Sequence, residues 1–322
     1  MPTTRLSAMA AFVICAAFHM SAAHAQTLTT LYSFKGGKDG YVPDGDLVFD
    51  SAGNLYGATI FGGGNGTTCN SFYQYCGTVF ELSPQQKGGK WTEKVLHSFA
   101  GGVDGANPNG GLVLDSEGGL YGTTLSGGNR GCKSDSGIGC GIAFELKLRT
   151  KTGDAWRETT LHRFTDGDDG AGPNGGLIFD AGGALYGTAG GGGTGKLGVV
   201  FRLAPTSGSG WRETVLHNFT VEKGGRNPWS PLTFDSTGKL YGTAHASASD
   251  KFGGLVFVLQ PRTDGTWTFS VLYSFAGAPD GAYPISKPIF DVSRTLYSTT
   301  QSGGTGQKCQ GGCGTVFSVF PR

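Results

Sequence analysis

Hydrophobic and polar positions alternate in short bursts along this chain, and no stretch keeps the apolar spacing of an amphipathic helix. The bursts recur. LYSF (31–34), LHSF (96–99), LHRF (161–164), LHNF (216–219) and LYSF (272–275) return after 65, 65, 55 and 56 residues. Each is followed by a loop rich in Gly, Asp and Pro, then by an apolar run ending in Asp: LVFD (47–50), LVLD (112–115), LIFD (177–180), LTFD (232–235) and PIFD (288–291). A turn leads into LYG or LYS, and a variable loop into GTVFEL (77–82), GIAFEL (141–146), GVVFRL (198–203), GLVFVL (254–259) or GTVFSV (314–319). Four units continue into a segment headed by Trp91, Trp156, Trp211 or Trp267. The runs favour Val, Ile, Phe, Tyr and Thr, as pleated half-buried strands do. Between the first two runs, Asp-Ser-x-Gly (115–118) is a tight-hairpin signal, because Asp bonds its own backbone and Gly takes positive φ.

Four antiparallel strands per unit and five units predict an all-β fold, a five-bladed β-propeller of four-stranded antiparallel blades. The units run over about 46–99, 110–164, 175–219, 230–275 and 287–322 plus 27–34, within one domain of residues 26–322. The fifth unit stops after its third run. Thr27–Phe34 (TLTTLYSF) matches the segment that elsewhere starts at Trp, so the N-terminal strand is expected to complete the last blade and remove an open sheet edge. An open solenoid of sheets, the alternative, needs no split unit.

The spelling LVFD-x-x-G-x-LYG…GTVF resembles the GloVer-type tandem repeat of secreted bacterial proteins, over nearly the whole chain. It is also similar in pattern to the NHL propeller unit. The resemblance implies an exported bacterial surface or extracellular protein and carries no agreed activity.

Composition narrows the function classes. Glycine makes up 59 of 322 residues, charged residues 15% and hydrophobic residues 38%, which suits many short strands joined by tight turns rather than disorder. A net charge of +1 gives no global case for nucleic acid or an anionic membrane as partner. Met1–Ala25 reads as a signal peptide: Arg5, an apolar run from Ala8 to Ala17 too short to span a bilayer, and Ala23-His24-Ala25 as a cleavage pattern. The protein is therefore expected to be secreted or periplasmic, monomeric, and without a membrane span once cleaved after Ala25. Six cysteines remain in three local pairs: Cys69 with Cys76, Cys132 with Cys140, and Cys309 with Cys313. Each pair precedes the third run of its unit, and units three and four lack both members, so three structural disulfides are expected, in keeping with export. Metal binding is disfavoured, because no His accompanies any pair.

The repeats supply an internal control for chemistry. His97, His162 and His217 share one position with Tyr32 and Tyr273, and Asp50, Asp115, Asp180, Asp235 and Asp291 share another; both sets read as structural. Asp39, Asp104, Asp169 and Asp280 recur in the loop before the first run and predict an acidic rim on the face that also carries the cysteine loops. His245 is off the pattern, but a lone loop histidine is weak evidence for catalysis. Calcium near Asp166, Asp168 and Asp169 lacks the full loop spacing. No metal, cofactor or catalytic residue is assigned. Aromatic departures are stronger signals: Trp229, Tyr41, Tyr283, and Phe72, Tyr73 and Tyr75 in the first cysteine loop. They fall in neighbouring units four, five and one. An exposed aromatic arc is how proteins stack sugar rings or grip a partner, so these six are the expected ligand-binding residues of a non-catalytic module for an extracellular glycan or cell-surface partner. The alternatives are a purely structural envelope protein and a glycosidase on the same face, with Asp39, Asp44, Asp46 and Asp280 as candidate carboxylates.

Overall fold

The computed structural model describes residues 28–64, 76–85, 89–128, 131–134, 137–148, 155–208, 210–221, 224–247, 253–306 and 308–321. The chain divides into two units. The described part of the first, residues 28–31, carries no strand. The second, Tyr32–Arg322, is a β-propeller of five antiparallel sheets, with two single-turn 3-10 helices at Gly37–Asp39 and Gly102–Asp104.

Each blade runs outward from the axis in chain order. Blade 1 holds Tyr41–Phe49, Leu55–Phe61, Thr78–Ser83 and Thr92–Ser98; blade 2 holds Ala106–Leu114, Leu120–Ser126, Ile142–Leu148 and Trp156–Arg163. In blade 3 the inner strand is split into Ala171–Pro173 and Ile178–Phe179, followed by Leu185–Gly191, Val199–Pro205 and Trp211–Asn218. Blade 4 holds Thr233–Phe234, Leu240–Ala244, Leu255–Pro261 and Trp267–Ser274; blade 5 holds Ala282–Pro284 with Ile289–Phe290, then Leu296–Ser302 and Thr315–Val319. In blades 1, 2, 3 and 5 the inner strand opens upstream of the apolar run that marks it in sequence, and a register shift between Asp44 and Val48 separates the two halves in blade 1.

The repeated Asp and Tyr fix each first hairpin. One oxygen of Asp115 accepts the amides of Glu117 and Gly119, and the other accepts the Tyr121 hydroxyl at 2.9 Å. Asp50, Asp180, Asp235 and Asp291 repeat this with Tyr56, Tyr186, Tyr241 and Tyr297.

Blades cohere through aromatic side chains that sheets of this size cannot bury alone. The Phe ending each outer strand packs edge-on against a Phe of the next blade: Phe99 on Phe144, Phe164 on Phe201, Phe219 on Phe257 and Phe275 on Phe317, at 4.9–5.5 Å. The outer-strand Trp wedges against the preceding blade's Tyr: Trp156 on Tyr56, Trp211 on Tyr121, Trp267 on Tyr186. Four buried clusters result, one at each junction from blades 1/2 to blades 4/5.

The fifth junction differs. Among the described residues it holds no buried cluster: Leu47, Phe49, Tyr297 and Val316 are exposed, whereas the corresponding Leu112, Tyr241 and Val256 are buried. The N-terminal strand expected over Thr27–Phe34 is not formed either; residues 28–35 carry no strand, and Thr315–Val319 pairs with Leu296–Ser302 alone. Thr27 lies outside the described residues. The tail of the match does behave as a repeat, since Phe34 packs on Phe80 at 5.0 Å. What the segment lacks is the wedge: Gln26 stands where the outer strands carry Trp. Without that ring there is little apolar area to hold the strand against the sheet.

Two expected disulfides are present, Cys132–Cys140 and Cys309–Cys313, with Cα atoms 5.7 and 5.2 Å apart. Cys76 is also disulfide-bonded; its expected partner Cys69 lies outside the described residues. Among the described residues no helix is long and apolar enough to cross a membrane.

Candidate functional site

In every blade the chain passes the axis with a four-residue segment that opens on Pro: PDGD (43–46), PNGG (108–111), PNGG (173–176), PWSP (228–231) and PISK (284–287). The third position is small in all five, Gly45, Gly110, Gly175, Ser230 and Ser286, because backbones meet there. A Cβ on Gly45 would collide with the amide of Gly111, one on Gly110 with the amide of Gly176, and one on Gly175 with the carbonyl of Ser230. This waist lies between two cavities, each lined by all five blades. The lower, of about 470 Å³, is walled by Leu47, Leu112, Leu177 and Phe179 among others. The upper cup, of about 370 Å³, is half polar and half apolar: it takes the second position of each segment, Asp44, Asn109, Asn174, Trp229 and Ile285, together with Asp46 and Lys287.

Asn109 Oδ1 is occupied by the amide of Gly110, but Asn174 Oδ1 is buried with no hydrogen-bond partner among the described residues. Neither Asp44 nor Asp46 is tied into a turn among the described residues, unlike Asp50 four positions on, which accepts the Ala52 and Asn54 amides.

Trp229 is backed by a ladder of rings. His245, on the loop after Leu240–Ala244, lies 4.5 Å from Trp229 and 4.6 Å from Tyr283, stacked within 20° of the latter. The other edge of the indole covers Gly190 of blade 3, where a Cβ would strike Nε1. Tyr283 holds its ring there from a left-handed backbone, φ +61°. The same position is left-handed in every unit: Val42, Asn107, Gly172 and Asn227 all have φ between +53° and +60°. The cause is a bond between blades. Asn107, Gly172, Asn227 and Tyr283 each donate their amide to a carbonyl just before the preceding blade's third strand, at 2.7–2.9 Å. A bulky ring rarely takes this conformation, and such strain concentrates at functional sites. Burial holds the His245 imidazole below its ordinary pKa; a hydrogen bond to Gln301 works against this, and the nearby charge of Arg226 adds to it. Arg226 Nε is itself buried without a hydrogen-bond partner among the described residues.

Of the six residues expected from sequence, Trp229 and Tyr283 are thus brought together through His245. Tyr41 is not part of that group: its ring packs on Phe61 at 5.4 Å. Phe72, Tyr73 and Tyr75 lie outside the described residues. Sequence reasoning undervalued His245 and missed Arg226 and Gln301. The signal was present in the repeat register, where His245 and Gln301 replace Ile60, Leu125 and Gly190, and Arg226 replaces Ala106, Ala171 and Ala282.

The recurring loop aspartates serve the scaffold. Asp39 accepts the hydroxyl of Tyr32, Asp280 that of Tyr273, and Asp104 and Asp169 sit 3.2 and 3.1 Å from His97 and His162. Asp39 and Asp280 are therefore engaged, and of the four candidate carboxylates Asp44 and Asp46 line the cup. Near Asp166, where calcium was considered, the ammonium of Lys196 lies 3.6 Å from the carboxylate.

A family model described as the Gloeobacter/Verrucomicrobia repeat matches residues 64–317. The chain belongs to this family. The match runs from the loop after the second strand of blade 1 to the last strand of blade 5, so the Gloeobacter/Verrucomicrobia repeat and the propeller blade coincide over that range. No curated protein matches the sequence. Among solved structures, this repeat protein is similar to the RS223 β-xylosidase (11% identity, TM-score 0.38, 86% of this chain and 90% of that one). It is also similar to an endo-arabinase from Bacteroides thetaiotaomicron (13%, 0.39, 90% and 99%). A third is the PQQ domain of pyranose dehydrogenase from Coprinopsis cinerea (11%, 0.30, 89% and 94%). Likeness this low says nothing about activity.

Proposed function

We propose that this protein is an exported binding module that recognises a polyhydroxylated ligand, an extracellular glycan, in the upper axial cup. One observation carries the reading: the indole of Trp229 lines one cup with Asn174, Asp44 and Asp46, and the two carboxylates are not held in turns among the described residues. A sugar presents an apolar C–H face that stacks on an aromatic ring, and hydroxyls that both donate and accept. Trp229 supplies the face. Asp44 and Asp46 supply acceptors, Asn174 a side-chain amide on the wall, and Lys287 a donor. The ring ladder keeps the indole fixed, which lowers the entropy lost on binding. The disulfides support a place in an oxidising compartment.

A glycan array with the oxidised protein tests this, with Trp229→Ala and Asn174→Ala as controls. Binding that both variants lose supports the cup as the site. Binding to no sugar, or binding that both variants keep, overturns it.

A second reading has its own observation. Two carboxylates free of turn bonds in one cup are what a glycosidase requires, if their oxygens stand roughly 5–9.5 Å apart. Hydrolysis of any oligosaccharide that Asp44→Asn and Asp46→Asn each abolish, with binding retained, would replace the first reading with this one.

A further inference from the structure

Three notches beside the outer strands follow one plan. In the segment ending at each repeat's Phe, a Tyr or His pairs with an Asp seven residues on: Tyr32 with Asp39, His97 with Asp104, His162 with Asp169. The next outer strand adds an acid beside each pair, Glu93, Glu158 and Glu213, each of which feels the charge of the neighbouring Asp. Between blades 3 and 4 both carboxylates are gone. Seven residues after His217 stands Gly224, and Phe269 stands in the place of the Glu. His217 lies flat on Phe269, ring centroids 3.8 Å apart and planes within 2°. In that notch is an open cavity of about 890 Å³ between Val215–Asn218 and Trp267–Val271.

Its lining has a definite chemistry. Trp267 and Phe269 give ring surface, Thr268 and Asn218 give hydrogen-bonding groups, and Arg262 is the one charged side chain among the described residues that line it. The Arg262 Nε donates to Thr268 Oγ1, which aims the guanidinium, while its terminal nitrogens make no further bond among the described residues. The nearby Asp264 accepts the Thr266 hydroxyl and amide on one oxygen, at 2.6 and 2.9 Å, and its carboxylate also feels the charge of Arg262.

The geometry points to a second ligand site in this notch, for a carboxylated sugar residue such as a uronate. The ring stacks on the aromatic surface at the Trp267 end of the notch, a hydroxyl meets Thr268, and the carboxylate takes the two arms of the Arg262 fork that make no bond among the described residues. Two departures from the repeat make the site, and each removes a negative charge.

Titration calorimetry of the oxidised full chain with trigalacturonate, and with galactotriose as the neutral counterpart, tests it. Saturable binding of trigalacturonate is expected, at least about tenfold weaker for the neutral sugar. Arg262→Gln should weaken trigalacturonate binding by about tenfold or more. Phe269→Glu, which restores the residue of the other blades, should abolish it. Trp229→Ala should leave it within about twofold, which separates this site from the axial cup. No saturable binding, equal affinity for both sugars, or an Arg262→Gln variant that binds normally would overturn the proposal. Arg262 is exposed, so that last arm does not depend on how the chain tolerates a change at Phe269.

Discussion

His245 lies against Tyr283 with ring centroids 4.6 Å apart, and Tyr283 takes a left-handed backbone to be there. For a residue with a Cβ that conformation costs about 1–2 kcal/mol. Asn tolerates it better and occupies the same position as Asn107 and Asn227. Tyr283→Asn is therefore expected to melt no lower than the native protein while losing glycan binding at the cup. Thermal denaturation beside array binding checks both halves.

Glu213 reverses the usual pH dependence of an acid. Burial raises its pKa to about 7, opposed by His162 and reinforced by Asp169. The folded state thus holds the proton more tightly than the unfolded chain, whose Glu titrates near 4.5. The stability this contributes is complete below pH 4.5 and is lost as pH rises towards 7. Glu213→Gln, neutral throughout, is expected to melt higher than the native protein at pH 8 and to match it at pH 4.5. Melting curves across that range decide it.

Gly110 and Gly118 have nearly the same φ, +87° and +86°, but different surroundings. A Cβ on Gly118 meets nothing within 4 Å; one on Gly110 meets the backbone of Gly176. Gly118→Ala should cost only the conformational penalty of about 1–2 kcal/mol. Gly110→Ala should cost a further ~1–3 kcal/mol, because inner strands of two blades must part. Urea unfolding midpoints of the two variants measure the difference.

Tyr121 and Tyr297 make the same hairpin bond in different surroundings. The Tyr121 hydroxyl lies 2.9 Å from Asp115 and 2.8 Å from Glu145 in a buried junction. Tyr297 bonds Asp291 at the exposed fifth junction. Tyr121→Phe is expected to cost about 1.5–3 kcal/mol, and Tyr297→Phe less than about 0.5 kcal/mol, in the same unfolding assay.

The sequence by itself determined the fold class, the blade count and most strand positions. Five copies of one spelling average out local ambiguity, and each copy agrees with the others about where chain turns and what faces inward. It also marked Trp229 and Tyr283, because a large ring at a position held elsewhere by Asn or Gly stands out from the repeat. Tertiary structure decided what those departures join. His245 looked like a stray loop histidine until the stacking of blades 4 and 5 set it between two rings, and Tyr41 looked like a member of the arc until it proved to pack on Phe61. Asp44 and Asp39 read alike in sequence, yet one lines a cavity and the other is bonded to Tyr32. The physical reason is common to all three. A repeat records the contacts that every blade makes with its neighbours, whereas a site is built from residues that break the repeat, and which of them meet depends on distances between blades.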